Sequence, residues 1–296
     1  MIEVDVLCVG HASYDLIFSV DHHPNNDEKI SANVFLSCGG GPAANAAVLC
    51  SRLGFNAGFS GYLGIDLFGE NHYQELINET VNTQLINRDN NPTPLSTILV
   101  KPDGSRALIN YKGDTKPLTA DAVNYSAVST KAVLFDGHEL QLSLSLLDHI
   151  RTKNIPSVLD AGSVHEGTLN LMDKVDYLVC SEKFALAFAS NEFNALVSLA
   201  KIAPNVIITL GERGLIWQRD QERGYLDAFK INAIDTTGAG DAFHGAFTAA
   251  LTTNMAWLEI LQFASAAGAI CCTKMGARLG LPSKHELDSF LNSASI

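Results

Sequence analysis

Chemistry concentrates in the stretch Asp235-Thr236-Thr237-Gly238-Ala239-Gly240-Asp241-Ala242-Phe243-His244-Gly245. Residues 228–234, just before it, alternate apolar and polar types and read as a strand, while residues 242–251 read as a buried helix. A strand, a small-residue turn and a helix start leave backbone N–H groups free and aim the positive helix end at one place. Gly238 and Gly240 carry no Cβ, so the backbone can close on a phosphate. Asp241 falls in the first helical turn, a carboxylate beside a site built for anions. That pairing suits a base that takes the proton of a hydroxyl while the N–H groups hold the phosphoryl group the hydroxyl attacks. Taken alone, the same residues also fit a capped structural turn.

A second glycine stretch lies far upstream, Gly39-Gly40-Gly41-Pro42-Ala43-Ala44-Asn45-Ala46-Ala47. Three glycines followed by proline predict a helix start, and the small-residue helix should stop at Gly54. Asn45 is the odd member, an amide among alanines, and is expected to face a polar ligand. The spacing Gly39-x-Gly41-x-x-Ala44 resembles a dinucleotide fingerprint only superficially, because it follows an irregular second strand and no acidic strand end comes about 20 residues later. Asp15 follows the first strand, residues 4–9, in a loop beyond its carboxyl end, where open α/β sheets bind ligands. A turn-forming role explains Asp15 equally well.

The elements that must position these residues alternate between strand and helix. Repeated βα units from residue 119 onward imply a mainly parallel sheet covered on both faces, an α/β three-layer fold in one domain. Residues 95–100 and 106–111 form a hairpin about Asp103-Gly104 that interrupts this alternation. With the weakly alternating residues 29–37 it should build a small separate sheet, a lid supplied by residues 11–37 and 94–115. Residues 206–210 read as a strand ending at Gly211-Glu212-Arg213-Gly214, and residues 257–272 as a long apolar helix.

Composition narrows the options. The chain has 296 residues, 47% of them hydrophobic and 18% charged, with mean hydropathy +0.11, which describes a compact folded protein. Its net charge of −12 argues against nucleic-acid or anionic-membrane binding. The six cysteines form no C-x-x-C and lie mostly in apolar runs, as small buried hydrophobes do. No leader-like N-terminus and no long apolar run is visible, so a cytoplasmic location is expected. There is no Gly-x-x-x-x-Gly-Lys-[Ser/Thr], no His-Glu-x-x-His and no Gly-x-Ser-x-Gly.

Residues 235–245 resemble the C-terminal signature of the ribokinase-like (PfkB) carbohydrate kinases, residues 39–47 their sugar-binding glycine motif, and Thr209-Leu210-Gly211-x-x-Gly214 their nucleotide-site turn. Order and spacing agree over nearly the whole chain. The resemblance implies a ribokinase-like α/β/α fold with a β-sheet lid and an ATP-dependent transfer of phosphate to a sugar hydroxyl. It makes Asp241 the base and Gly238, Ala239 and Gly240 the anion hole. It implies sugar contacts from Asp15, Gly40, Gly41, Asn45 and Asn110, and nucleotide contacts from Thr209, Gly211, Gly214 and Thr237. Asp235, Thr237 and Gly276 match a monovalent-cation site that would take K⁺, and Mg²⁺ would arrive with ATP. The glycine stretch and the tail Gly276-Ala277-Arg278-Leu279-Gly280-Leu281-Pro282 are similar to sulfofructose kinase and ketohexokinase-type sugar kinases. His138 aligns where an arginine would meet a sulfonate, and Glu28 where that pocket has a glycine, which leaves a neutral ketohexose or a related sugar as the expected substrate. Ser181-Glu182-Lys183-Phe184 replaces the family's Asn-x-x-Glu. Two further readings stay open, a nucleoside kinase on the same scaffold and a silent sugar- or nucleotide-binding sensor. Apolar residues Val34, Phe35 and Leu36 on the lid lead to the expectation of a homodimer formed through it.

Overall fold

The computed structural model describes residues 1–293. Its main sheet has nine strands, in the order Glu222–Leu226, Leu215–Arg219, Asn205–Thr209, Tyr177–Ser181, Ser157–Ala161, Ala132–Phe135, Val6–Gly10, Ala57–Tyr62 and Asn82–Asn87. Neighbours are parallel from Asn205–Thr209 across to Asn82–Asn87, and the two strands at the other edge are antiparallel. The buried central strands are continuous apolar runs, because parallel strands covered on both faces have no wet side. Val6 and Cys8 join one core cluster and Leu7 and Val9 the other, as a side-chain period of two requires. Helices cover both faces, which gives the ribokinase-like α/β/α layering.

Three small-residue helices lie on one face: Pro42–Arg52, Ala239–Ala250 and Trp257–Cys271. They approach closely. A Cβ on Gly245 would come within 3.0 Å of Ala46, and one on Gly268 within 3.1 Å of the Ala239 carbonyl. This tight crossing brings two stretches nearly two hundred residues apart to one place.

A separate four-stranded sheet runs Val34–Gly40, Ser13–Ser19, Leu95–Val100, Arg106–Tyr111. Asp15 therefore lies within a strand of this smaller sheet and not in a loop. One face of this strand carries Tyr14, Leu16 and Phe18 and the other mixes Ser13, Asp15, Ile17 and Ser19, so the face turned to the site does not read as core. The strand expected over residues 29–37 begins later, at Val34, and runs on into Gly39 and Gly40. Residues 228–234 form no strand. The sheet ends at Glu222–Leu226, and the Ile234 and Asp235 N–H groups donate instead to the Cys272 carbonyl at 2.8 and 3.3 Å. Among the described residues no helix is long and apolar enough to cross a membrane.

Candidate active site

Each glycine of the first stretch answers a different steric demand. A Cβ on Gly39 would strike the His72 ring, and one on Gly40 the Asp15 carboxylate. Gly41 has φ 95°, a left-handed backbone that side chains resist, and a Cβ there would meet the His11 carbonyl at 2.5 Å. The helix that follows opens with Pro42, and Asp136 Oδ2 accepts the Ala43 N–H at 3.2 Å. Asp136 also accepts from the His11 N–H at 2.7 Å and the His138 N–H at 2.9 Å, so one buried carboxylate ties three segments together.

Asn45 is buried one turn into this helix, and its Nδ2 donates to Asp241 Oδ2 at 2.7 Å. Asp241 lies in the first turn of Ala239–Ala250, whose N-cap is Gly238 at φ 78° with no side-chain cap. Among the described residues the Gly240 and Asp241 N–H groups find no carbonyl partner, as expected of a helix start, while the Ala239 N–H donates to the Thr236 carbonyl at 3.3 Å. A Cβ on Gly238 would fall on Ala277. The turn therefore offers unpaired donors next to a half-buried carboxylate. Burial pushes Asp241 up to about 6, the Asp160 charge adds to this, and the Asn45 amide pulls the other way.

Asp15 is buried, accepts from Ser13 Oγ at 2.9 Å, and is also pushed up to about 6 by burial. Ser13 and the Arg278 charge draw it down. Cys38, Asp15, Ser96 and Asn110 pair in one row across the smaller sheet, so Asn110 shares a face with Asp15. Arg106 lies on that same face further along its strand, and its Nη1 donates to Thr237 Oγ1 at 2.6 Å. An exposed arginine in a hairpin carried no signal in the sequence; only this register reveals its reach.

Asp235 is almost wholly buried. Its Oδ1 accepts the Thr237 N–H at 2.9 Å and the Thr237 hydroxyl at 2.6 Å, and its Oδ2 accepts the Gly276 N–H at 2.8 Å. Thr209 ends its strand, and the turn Gly211–Arg213 follows with Gly211 at φ 60° and Gly214 at φ 87°. A Cβ on Gly214 would strike the Leu226 carbonyl. Glu182 is engaged by Arg213 Nη2 at 2.6 Å, and the same guanidinium reaches Glu192 at 2.7 Å.

His138 lies between His11 and His165, tilted against the first and stacked on the second, with ring centroids 5.1 and 4.7 Å apart. With Lys112, Lys116 and Glu139 it lines a small cleft beside the glycine stretch. Burial pushes Glu139 up to about 7, and burial together with the His138 charge lowers His11 to about 3. Glu28 stays apart. It is exposed, and its partners are His22 Nε2 and the Asn25 amide groups, all within its own turn.

Residues 4–284 match the model of the pfkB family carbohydrate kinases. The chain belongs to that family. It is thereby an ATP-dependent carbohydrate kinase. The ribokinase of Lactococcus lactis is 27% identical, with 98% of each chain covered. Fructokinase-1 of Zea mays is 29% identical over 89% of this chain and 91% of its own. The solved ribokinase of Thermotoga maritima superposes with a TM-score of 0.87 at 25% identity, covering 98% of this chain and all of the other.

Proposed function

We propose that this kinase phosphorylates a hydroxyl of a ketohexose or a related sugar, with Asp241 as the general base. The observation that carries this reading is the hydrogen bond from Asn45 to Asp241, which joins the glycine stretch to the uncapped helix start. Asp15, Gly40, Gly41, Asn45 and Asn110 bind sugar hydroxyls, and the polar row of the smaller sheet supports this better than a stacked base. His138 borders the sugar from the adjoining cleft. Fructokinases among the relatives favour the ketohexose.

The reaction forms a bond between the sugar oxygen and the γ-phosphorus as the bond to the β,γ-bridging oxygen breaks. Asp241 takes the hydroxyl proton, and ADP leaves with the bond electrons. Gly238, Ala239 and Gly240 hold the transferring phosphoryl through backbone N–H groups at the positive helix end, the Ala239 N–H being shared with the Thr236 carbonyl. With its pKa near 6, Asp241 is ionised at neutral pH yet takes a proton more readily than an ordinary carboxylate. Thr209, Gly211, Gly214 and Thr237 border the nucleotide. Residues 11–37 and 94–115 act as a lid of the single kinase domain, and their closure excludes water that would otherwise hydrolyse ATP.

Mg²⁺ would supply charge neutralisation on the phosphates. Among the described residues no cluster of His, Cys, Asp or Glu side chains is set to hold a metal, and Mg²⁺ would be held largely by phosphates and water. The K⁺ site would draw on Asp235, Thr237 and Gly276. The fit is chemical: a buried carboxylate with three donors and, among the described residues, no ion-paired side chain. Its Oδ2 retains a lone pair.

The test is a coupled ADP-release assay over fructose, sulfofructose, ribose, aldohexoses and nucleosides. A ketohexose is expected to stimulate release most. Stimulation by nucleosides alone would overturn the substrate class. Asp241→Asn should lose about 10²–10⁴-fold in turnover while still binding sugar; a variant that turns over normally would overturn the base.

A further inference from the structure

The largest fully buried side chain among the described residues is a charged one, Arg278. It belongs to the short helix Ala277–Gly280, whose first residue packs beneath Gly238. Its Nε donates to Asn45 Oδ1 at 3.3 Å, its Nη1 to Glu75 Oε1 at 3.1 Å and its Nη2 to His72 Nε2 at 3.2 Å. Glu75 supplies the counter-charge, and its Oε2 accepts the Gly39 N–H at 2.6 Å. Burial holds His72 well below the usual histidine range, so the neutral ring accepts at Nε2. An apolar side chain would fill this space at lower desolvation cost. Packing alone does not explain a guanidinium here.

Its partner explains it. The two ends of an asparagine amide have nearly the same shape and opposite hydrogen-bonding character. With Oδ1 against the guanidinium, the Asn45 NH₂ must face Asp241. Turned over, the amide would set donor against donor at Arg278 and acceptor against acceptor at Asp241. We propose that Arg278 is a positioning residue for phosphoryl transfer: by holding the Asn45 oxygen it keeps an amide donor on Asp241 Oδ2 and leaves Oδ1 to meet the substrate hydroxyl. The idea rests on Asp241 being the base.

A donor on a carboxylate favours its charged form. Asp160, Asp136 and Asp15 face Asp241 with charges that oppose that form, His244 lies beside it, and the neighbouring Cys271 thiol is held far above its usual range by burial. Loss of the Arg278–Asn45 contact therefore moves the acidic limb of the kcat profile to higher pH. A merely structural role would lower the melting temperature and leave that limb in place.

The experiment pairs Arg278→Met with Glu75→Gln in one chain, so that no lone charge is left buried. The expected result is a kcat lower by about 10- to 100-fold and an acidic limb raised by roughly one pH unit. Arg278→Lys keeps the charge but not the fork, and should shift the limb less in the same direction. Asn45→Leu should reproduce the shift, and adding the paired change to it should add nothing further. An unmoved limb in the paired variant, or in Arg278→Lys should the pair fail to fold, overturns the proposal while Asp241→Asn remains inactive. If Asp241→Asn itself turns over normally, the base assignment has failed instead.

Discussion

His244 Nδ1 lies 3.2 Å from Asp160 Oδ2, and both side chains are buried beside Asp241. The same nitrogen is 2.6 Å from the Gly240 carbonyl, and Nε2 is 3.2 Å from the Val179 carbonyl. Burial lowers His244 below the ordinary histidine range, while the Gly240 and Val179 carbonyls and the Asp241 charge pull it back up. Burial also pushes Asp160 up to about 7, and the Asp136 charge adds to it. The result is that Asp241, the proposed base, is held near 6 by its burial first and by a like charge second.

Two signs follow for the pH profile. The base must be ionised, so kcat should fall as pH drops through about 6. Asp160→Asn removes a like charge of the same shape, and Asp241 then ionises more easily. Its acidic limb should move to lower pH by well under about one unit, because Asp160, held near 7, is itself largely protonated where Asp241 titrates, with turnover at pH 8 little changed. A pH–rate series from pH 4.5 to 9 reads both (roughly the span over which the carboxylates titrate). A limb that moves upward in Asp160→Asn would rule out charge repulsion as the cause.

Much of this site was legible in the sequence because its parts are local. A glycine turn at a helix start, and glycines before a proline, are short-range signals that residues 238–241 and 39–42 carry by themselves. Partnership across the fold is not local. Asn45 stands out as an odd amide among alanines, but its partners Asp241 and Arg278 lie far along the chain. Arg278 sits in a small, apolar, glycine-punctuated tail, and a charge in such surroundings was the available clue. The strand Ser13–Ser19 is hard to read because its inner face carries Ser13 and Asp15 where a core strand would carry apolar residues. The main sheet was clearest of all, since strands buried on both faces leave unbroken apolar runs.

Arg106 reaches Thr237 from the hairpin, and the hairpin tip lies against the run before the turn, where a Cβ on Gly104 would sit 3.3 Å from the Ile234 carbonyl. The guanidinium thus stands over the nucleotide end of the proposed site. Arg106→Ala should raise the KM for ATP roughly three- to tenfold, a modest effect because exposed charges are screened. The KM for sugar should change less, and added salt should narrow the gap between variant and wild type. Initial rates at varied ATP and sugar give both constants. Equal rises in the two would assign Arg106 to hairpin stability instead.

Asp235 offers a test of cation dependence. Wild-type turnover should rise when tetramethylammonium is replaced by K⁺ at constant ionic strength. Asp235→Asn removes the charge that would hold the ion, and the stimulation should disappear even if basal turnover survives. Wild-type rates that are equal in both salts would remove the cation from the mechanism.

The outer face of the smaller sheet bears on assembly. Alternation places Phe35 on that face, while Val34 and Leu36 share the Asp15 side, so the apolar run splits between two surfaces. Phe35 is 56% exposed, Ile109 66% and Tyr111 54%, and the Phe35 ring meets Phe18 at a tilt with centroids 5.0 Å apart. An apolar face of this kind is costly in water and would be covered if two lids met. Wild-type protein should therefore scatter light as a particle of about twice the 31.8 kDa chain at micromolar concentration. Phe35→Glu with Ile109→Lys sets charges on the face without touching the row that holds Asp15, and should yield a monomer whose circular dichroism is unchanged. Should the wild type scatter as a single chain across that range, dimerisation through this face is excluded.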